Sequence, residues 1–125
     1  MFQEPEHYTN SDHFFFESKD ELAIVCNAPK DKQGVFKILE LGKGKITLIY
    51  IGYSNNEGLF DAIVVGPHRD GKPRNASIPA QLIKDGTDAL DFYWYEIEQK
   101  ANPEAIVEEM LEDFKISAGK LPKWN

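Results

Sequence analysis

The chain has a single cysteine, Cys26, in 125 residues. An internal disulfide is excluded, and so are the cysteine-rich zinc sites. Cys26 closes the apolar run Leu22-Ala23-Ile24-Val25-Cys26, where a lone thiol reads as a small core residue. This cysteine usage predicts a reducing, cytoplasmic setting. Long apolar runs are missing as well. Nothing approaches the ~18 consecutive apolar residues of a membrane helix. The acidic start MFQEPEHYTN lacks the basic-then-apolar order of a secretory leader. No membrane partner is expected. Basic residues are few: 14 Lys and Arg stand against 21 Asp and Glu, for a formal net charge of −7. That balance argues against a broad, non-specific grip on nucleic acid, which needs cations on phosphates. It leaves room for a compact basic patch, and Arg69, Lys72 and Arg74 form a locally basic segment. The histidines His7, His13 and His68 lack metal-ligand spacing. No nucleophile elbow or phosphate loop occurs.

What the chain does have is the stretch Gly34–Gly52, GVFKILELGKGKITLIYIG. Two branched, apolar runs flank a Gly-Lys-Gly-Lys reversal, which predicts a β-hairpin turning over Gly42–Lys45. The turn folds Gly34-Val35-Phe36 beside Tyr50-Ile51-Gly52 on adjacent strands.

The length fits one domain, residues 1–125. Residues 1–12 read as an irregular tail. His13-Phe14-Phe15-Phe16 reads as an apolar anchor, or else as an exposed contact patch. Ser18 to Glu21 fits a capping box before a short N-terminal helix through Leu22–Cys26, a run also compatible with a strand. After the hairpin, a helix is expected from about Leu59 to Val65, ended by Gly66-Pro67. Residues 67–77 form a polar loop. Ser77 caps a second short helix that stops at Asp85-Gly86. Ala89–Glu98 reads as a strand with two apolar faces, and so as one covered on both sides. Asn102 caps the last helix, with Pro103 in its first turn. Val107, Met110, Leu111 and Phe114 are its buried stripe, and Gly119 ends it. The fold class is α+β.

The two tripeptides resemble the core of the GIY-YIG nucleases. The β-β-α-β-α order over roughly residues 34–125 and the closing Pro122-Lys123-Trp124-Asn125 extend the resemblance. It implies a small three-stranded, antiparallel or mixed sheet flanked by helices, here with an extra N-terminal helix. It also implies a metal-dependent DNA endonuclease, with Mg²⁺ or Mn²⁺ as cofactor and DNA as partner. The motif residues are Gly34, Phe36 and Gly52. Tyr50 matches the second family tyrosine, which orients or deprotonates the nucleophile. Asn125 matches the asparagine that helps hold the site. The sequence departs from the pattern twice. Phe36 stands where the first tripeptide usually ends in tyrosine, and a phenyl ring cannot transfer a proton. The family's helix arginine falls near Asp61-Ala62, neither of them basic. Arg69 and Arg74 in the polar loop are the nearest guanidinium groups, and His68 is a candidate base there. For the metal carboxylate the register selects Glu108, with Glu104 second and Glu109 in an alternative alignment. The same departures allow a non-catalytic member, serving as a nucleic-acid or protein interaction module. The oligomeric state is open, and a homo-oligomer is compatible with the sequence.

Overall fold

The computed structural model describes residues 4–54, 57–65, 68–69, 72–73 and 78–125. Its elements, in chain order, are β1 (Asn10–Phe16), α1 (Leu22–Val25), β2 (Gly34–Gly42), β3 (Lys45–Ser54), α2 (Gly58–Val65), β4 (His68–Arg69), β5 (Lys72–Pro73), α3 (Ile78–Asp85), β6 (Ala89–Glu96) and α4 (Pro103–Ala118). The class is α+β. The main sheet has the order β1-β6-β2-β3, antiparallel throughout, and β4 and β5 form a separate two-residue ribbon.

The hairpin forms as expected. Gly42 pairs with Lys45, and Lys43 (φ 55°) and Gly44 (φ 73°) make the two-residue turn between them. Two left-handed residues in succession match the twist of the flanking strands. The β2–β3 register slips between Ile38 and Leu39, so Ile49 is an extra residue in β3.

Three expectations need correction. The main sheet has four strands, because His13–Phe16, expected as an apolar anchor or contact patch, is itself strand. It is the inner half of β1, which pairs Phe14 with Phe92 and Phe16 with Leu90. The irregular tail therefore ends before Asn10. Alternate burial drives this outcome: Phe14 and Phe16 are buried while Phe15 is 52% exposed. The N-terminal helix shrinks to a single turn. Glu21 is its N-cap, with no side-chain hydrogen bond. The expected capping box does not form; Asp20 instead accepts from the Glu17 amide in a preceding turn. Leu22 is the buried residue of this turn, Val25 packs beside it, and Ile24 points outward, 75% exposed.

The sheet has a covered layer on each side. Its front rows run Phe15–Asp91–Leu39–Leu48, His13–Tyr93–Lys37–Ile51 and Ser11–Tyr95–Val35–Tyr53. Helix α4 covers the β2–β3 half of this face, with Val107 and Met110 packing on Val35, Leu39, Leu48 and Ile51. The back rows include Phe14–Phe92–Ile38–Tyr50 and Asp12–Trp94–Phe36–Gly52. Leu22 of α1, Leu59 and Ile63 of α2, and Ile78 and Leu82 of α3 close over this back face, joined by Trp124 of the C-terminal tail. β6 lies between β1 and β2 under both layers, which is why its sequence is apolar on both parities. Cys26, half-buried, packs at the rim of the back layer, and burial pushes its thiol above the ordinary range. α4 is capped as expected: the Asn102 side chain accepts from the Ala105 amide, and Gly119 ends the helix in the left-handed region. Among the described residues, no helix is long and apolar enough to cross a membrane.

Candidate functional site

The hairpin brings the two tripeptides together. Phe36 lies directly opposite Gly52, and the Phe36 and Tyr50 ring centroids are 5.8 Å apart on the back face. Gly52 provides the room. A Cβ there would stand 2.5 Å from Tyr50 Cε2 and 2.8 Å from Phe36 Cζ. Gly34 has a similar role one strand away, where a Cβ would run into the Tyr95 carbonyl and meet Leu59. Both motif glycines thus answer to close packing. Phe36 is buried and Tyr50 half-buried, so of this pair only Tyr50 offers a polar atom.

Asn125 reaches the same strand from outside. Its side-chain oxygen accepts from the Ile51 amide at 3.0 Å, and its amide nitrogen donates to the Ile51 carbonyl at 2.9 Å. The Trp124 amide donates to the Ile49 carbonyl at 2.9 Å. The tail therefore covers the outer edge of β3 as a pairing strand would, satisfying backbone groups that an edge leaves open.

Glu108 does not join Tyr50. Tyr50 packs on the back face, whereas Glu108 is on α4, which packs on the front, and it is exposed. The phenol near the α4 carboxylates is Tyr53, three residues on and of opposite parity. Tyr53 hydrogen-bonds with Glu104, and Glu108 and Glu57 lie within electrostatic reach. Burial, with those carboxylates, pushes the Tyr53 phenol up, so it stays a neutral donor at neutral pH. Glu109 also lies on α4 and is exposed. Among the described residues, no three His, Cys, Asp or Glu side chains converge on one point, and the Tyr50 face adds no carboxylate from β3.

Arg69 has its backbone in β4, paired with Lys72, and His68 pairs with Pro73; nothing is described of their side chains. Arg74 lies outside the described residues. Asp61 and Ala62 fall on α2 as expected.

The sequence reading missed a second polar cluster, on the front face beyond α4. Asp91 and Lys37 are each 5% exposed in the middle of central strands. His13 Nδ1 lies 2.9 Å from Asp91 Oδ1, and the His13 ring stacks on Tyr93 at 4.8 Å. Lys37 Nζ lies over the Tyr93 and Tyr95 rings at 5.1 and 5.6 Å. Burial lowers the Lys37 pKa, against the pull of Glu4 and Asp91. A signal did exist: a charge of each sign, Lys37 and Asp91, each between apolar neighbours in a run that reads as a strand. Comparison with known protein families, with curated proteins and with solved structures finds no match to this chain.

Proposed function

We propose that this chain is a divergent GIY-YIG-like domain that keeps the scaffold of that fold and acts as a binding module without nuclease activity. In this reading β2, β3, α2, β6 and α4 are the β-β-α-β-α core, and β1 is an addition at the edge of the sheet. The paired tripeptides, the glycine under both rings and the asparagine on Ile51 support the likeness. One observation carries the loss of chemistry. The ring facing Tyr50 is the buried phenyl of Phe36, so a site that needs a proton acceptor and a phosphate donor holds one phenol. Asp61 and Ala62 at the helix position, and Glu108 on the other face, agree with it. The half-buried Cys26 suits a reducing compartment.

A second reading is favoured by the edge strand itself. Tyr50 and Tyr53 lie on the same edge strand, either side of the Ile51 that Asn125 clasps, and Tyr53 is hydrogen-bonded to Glu104. A phosphodiester on the back face beside that strand would meet the Tyr50 phenol, with Tyr53 and the α4 carboxylates on the front face. The chain would then be a DNA endonuclease using Mg²⁺ or Mn²⁺.

One assay separates the two. Purified protein is incubated with supercoiled plasmid, single-stranded DNA and branched DNA, with added Mg²⁺ or Mn²⁺, and binding is followed in parallel over a salt series. The module reading expects no cleavage. Cleavage that disappears in both Tyr50→Phe and Glu108→Ala overturns it in favour of the enzyme. Cleavage that survives both variants marks a contaminant.

A further inference from the structure

At the far end of the hairpin, three lysines from three elements surround a cavity of about 600 Å³. Lys43 comes from the turn, Lys84 from the last turn of α3 and Lys123 from the tail; Glu40, Asp85, Thr87 and Trp124 complete the wall. The chain as a whole carries −7, yet here three ammonium groups meet two carboxylates. Those carboxylates are engaged already. Glu40 receives Lys123 Nζ at 3.0 Å on each oxygen and the Thr87 hydroxyl at 2.7 Å. Asp85 lies 3.9 Å from the same ammonium. Glu40 thus fixes Lys123 at the cavity wall, and two of the three Lys123 donors are used.

Lys43 and Lys84 are exposed and make no ion pair among the described residues. Both are fixed at the backbone. Lys43 occupies a left-handed turn position, and its Cε passes 3.6 Å from where a Cβ on Gly86 would stand. One bond ties the hairpin to the opposite wall, the Asp88 amide donating to the Leu41 carbonyl at 2.8 Å; within that wall the Thr87 amide donates to the Leu82 carbonyl at 2.9 Å. The cavity therefore has hydrogen-bonded walls, two ammonium groups with no ion pair among the described residues, and a third donor on Lys123 beyond the two that Glu40 receives. Like charges gathered this way repel one another unless an anion joins them.

We infer that the cavity between Lys43, Lys84 and Lys123 binds a phosphate group. The inference rests on this cavity and not on the reading of the Tyr50 edge. The phosphate could belong to a nucleic-acid backbone or to a small phosphorylated molecule, since the lysines see the same oxygens.

The test is a titration of ¹⁵N-labelled full-length protein, first with inorganic pyrophosphate and then with a single-stranded oligothymidine. Shifts are expected at the amides of Gly42, Lys43, Gly86 and Thr87. The double variant Lys43→Gln/Lys84→Gln should weaken pyrophosphate binding about tenfold or more, with the melting temperature unchanged. Lys19→Gln, away from the cavity, should leave binding as it was. Oligothymidine displacing pyrophosphate from the same amides identifies a nucleic-acid backbone as the source. Pyrophosphate binding alone identifies a small phosphorylated ligand. The inference is overturned if pyrophosphate shifts none of these amides at about 10 mM, or if the double variant binds as the wild type does. It is equally overturned if Lys19→Gln weakens binding as much as the double variant.

Discussion

Asp91 holds His13 across the strand pair: its carboxylate oxygen lies 2.9 Å from His13 Nδ1. The histidine is held at its backbone and on one ring face, with the rest of the ring part-exposed. Its amide donates to Asp12, its carbonyl accepts from Asn27 at 3.2 Å, and its ring stacks on Tyr93. Asn27 also accepts from the indole of Trp94 at 2.7 Å. The middle of β1 is thereby closed to further strand pairing, as the Asn125 amide closes Ile51 on β3. Both edges of the sheet are guarded by an asparagine.

Asp91 also lies under the field of Lys37. Removing its charge takes away one of the two carboxylates, Glu4 and Asp91, whose field favours the buried Lys37 ammonium. Asp91→Asn is expected to cost about 2–4 kcal/mol of stability. Lys37→Met in the same chain should recover much of that loss. Urea unfolding of the two single variants and the double variant measures the coupling. Additive effects would show that the two charges do not depend on each other.

The strands approach too closely at Gly34 for a side chain. Gly34→Ala places a methyl against the Tyr95 carbonyl, and backbone in the sheet centre cannot withdraw. Destabilisation of about 3 kcal/mol is expected, in line with overpacked cores. Gly52→Ala meets ring atoms, which can turn aside, so its cost should be smaller. Equal melting temperatures for the two variants would contradict this ordering.

Asn125 gives a local signature. Asn125→Ala removes both hydrogen bonds to Ile51 and should cost about 1–2 kcal/mol. The clearest readout is amide exchange, where Ile51 should lose protection ahead of Lys37 on the neighbouring strand. Unchanged exchange at Ile51 would mean that the clasp does not hold in solution.

Alkaline pH should weaken the fold. Burial, with Glu4 and neighbouring phenols, raises the Tyr95 pKa above its unfolded value of 10.0. Above that value the unfolded chain has released a proton that the folded chain keeps, so stability falls as pH rises, by about 1.4 kcal/mol per pH unit for one such group. Cys26, raised from 9.0, has the same sign and begins earlier. Lys37, lowered from 10.5, has the opposite sign: its contribution grows with pH until the unfolded amine has also titrated. One lowered base does not offset the raised acids, so a net decline is expected above about pH 9. Urea midpoints from pH 8 to 11 test this, and Tyr95→Phe should flatten the slope.

The local signals in the chain were sufficient for the hairpin, for α2, for α3, for β6 and for the capped α4. Each is marked by short-range chemistry: a left-handed turn, a proline stop, an asparagine cap, a period of apolar residues. Those forces act within a few residues, and so they can be read along the chain. The single-turn α1 and the fourth strand were decided elsewhere. His13-Phe14-Phe15-Phe16 carries no turn or cap of its own. It became a strand because β6, some eighty residues away, offered Phe92 and Leu90 for Phe14 and Phe16 to pair with. The separation of Tyr50 from Glu108 was likewise a matter of which face α4 packs on. Helix periodicity defines the buried stripe of α4 but not the side of the sheet that receives it. The cluster of His13, Asp91 and Lys37, and the lysines around the hairpin tip, also exist only after strands distant in sequence lie side by side. Sequence alone determined the hairpin, β6 and the longer helices; packing between them decided β1, α1 and which side chains meet, because burial and charge act through space and not along the chain.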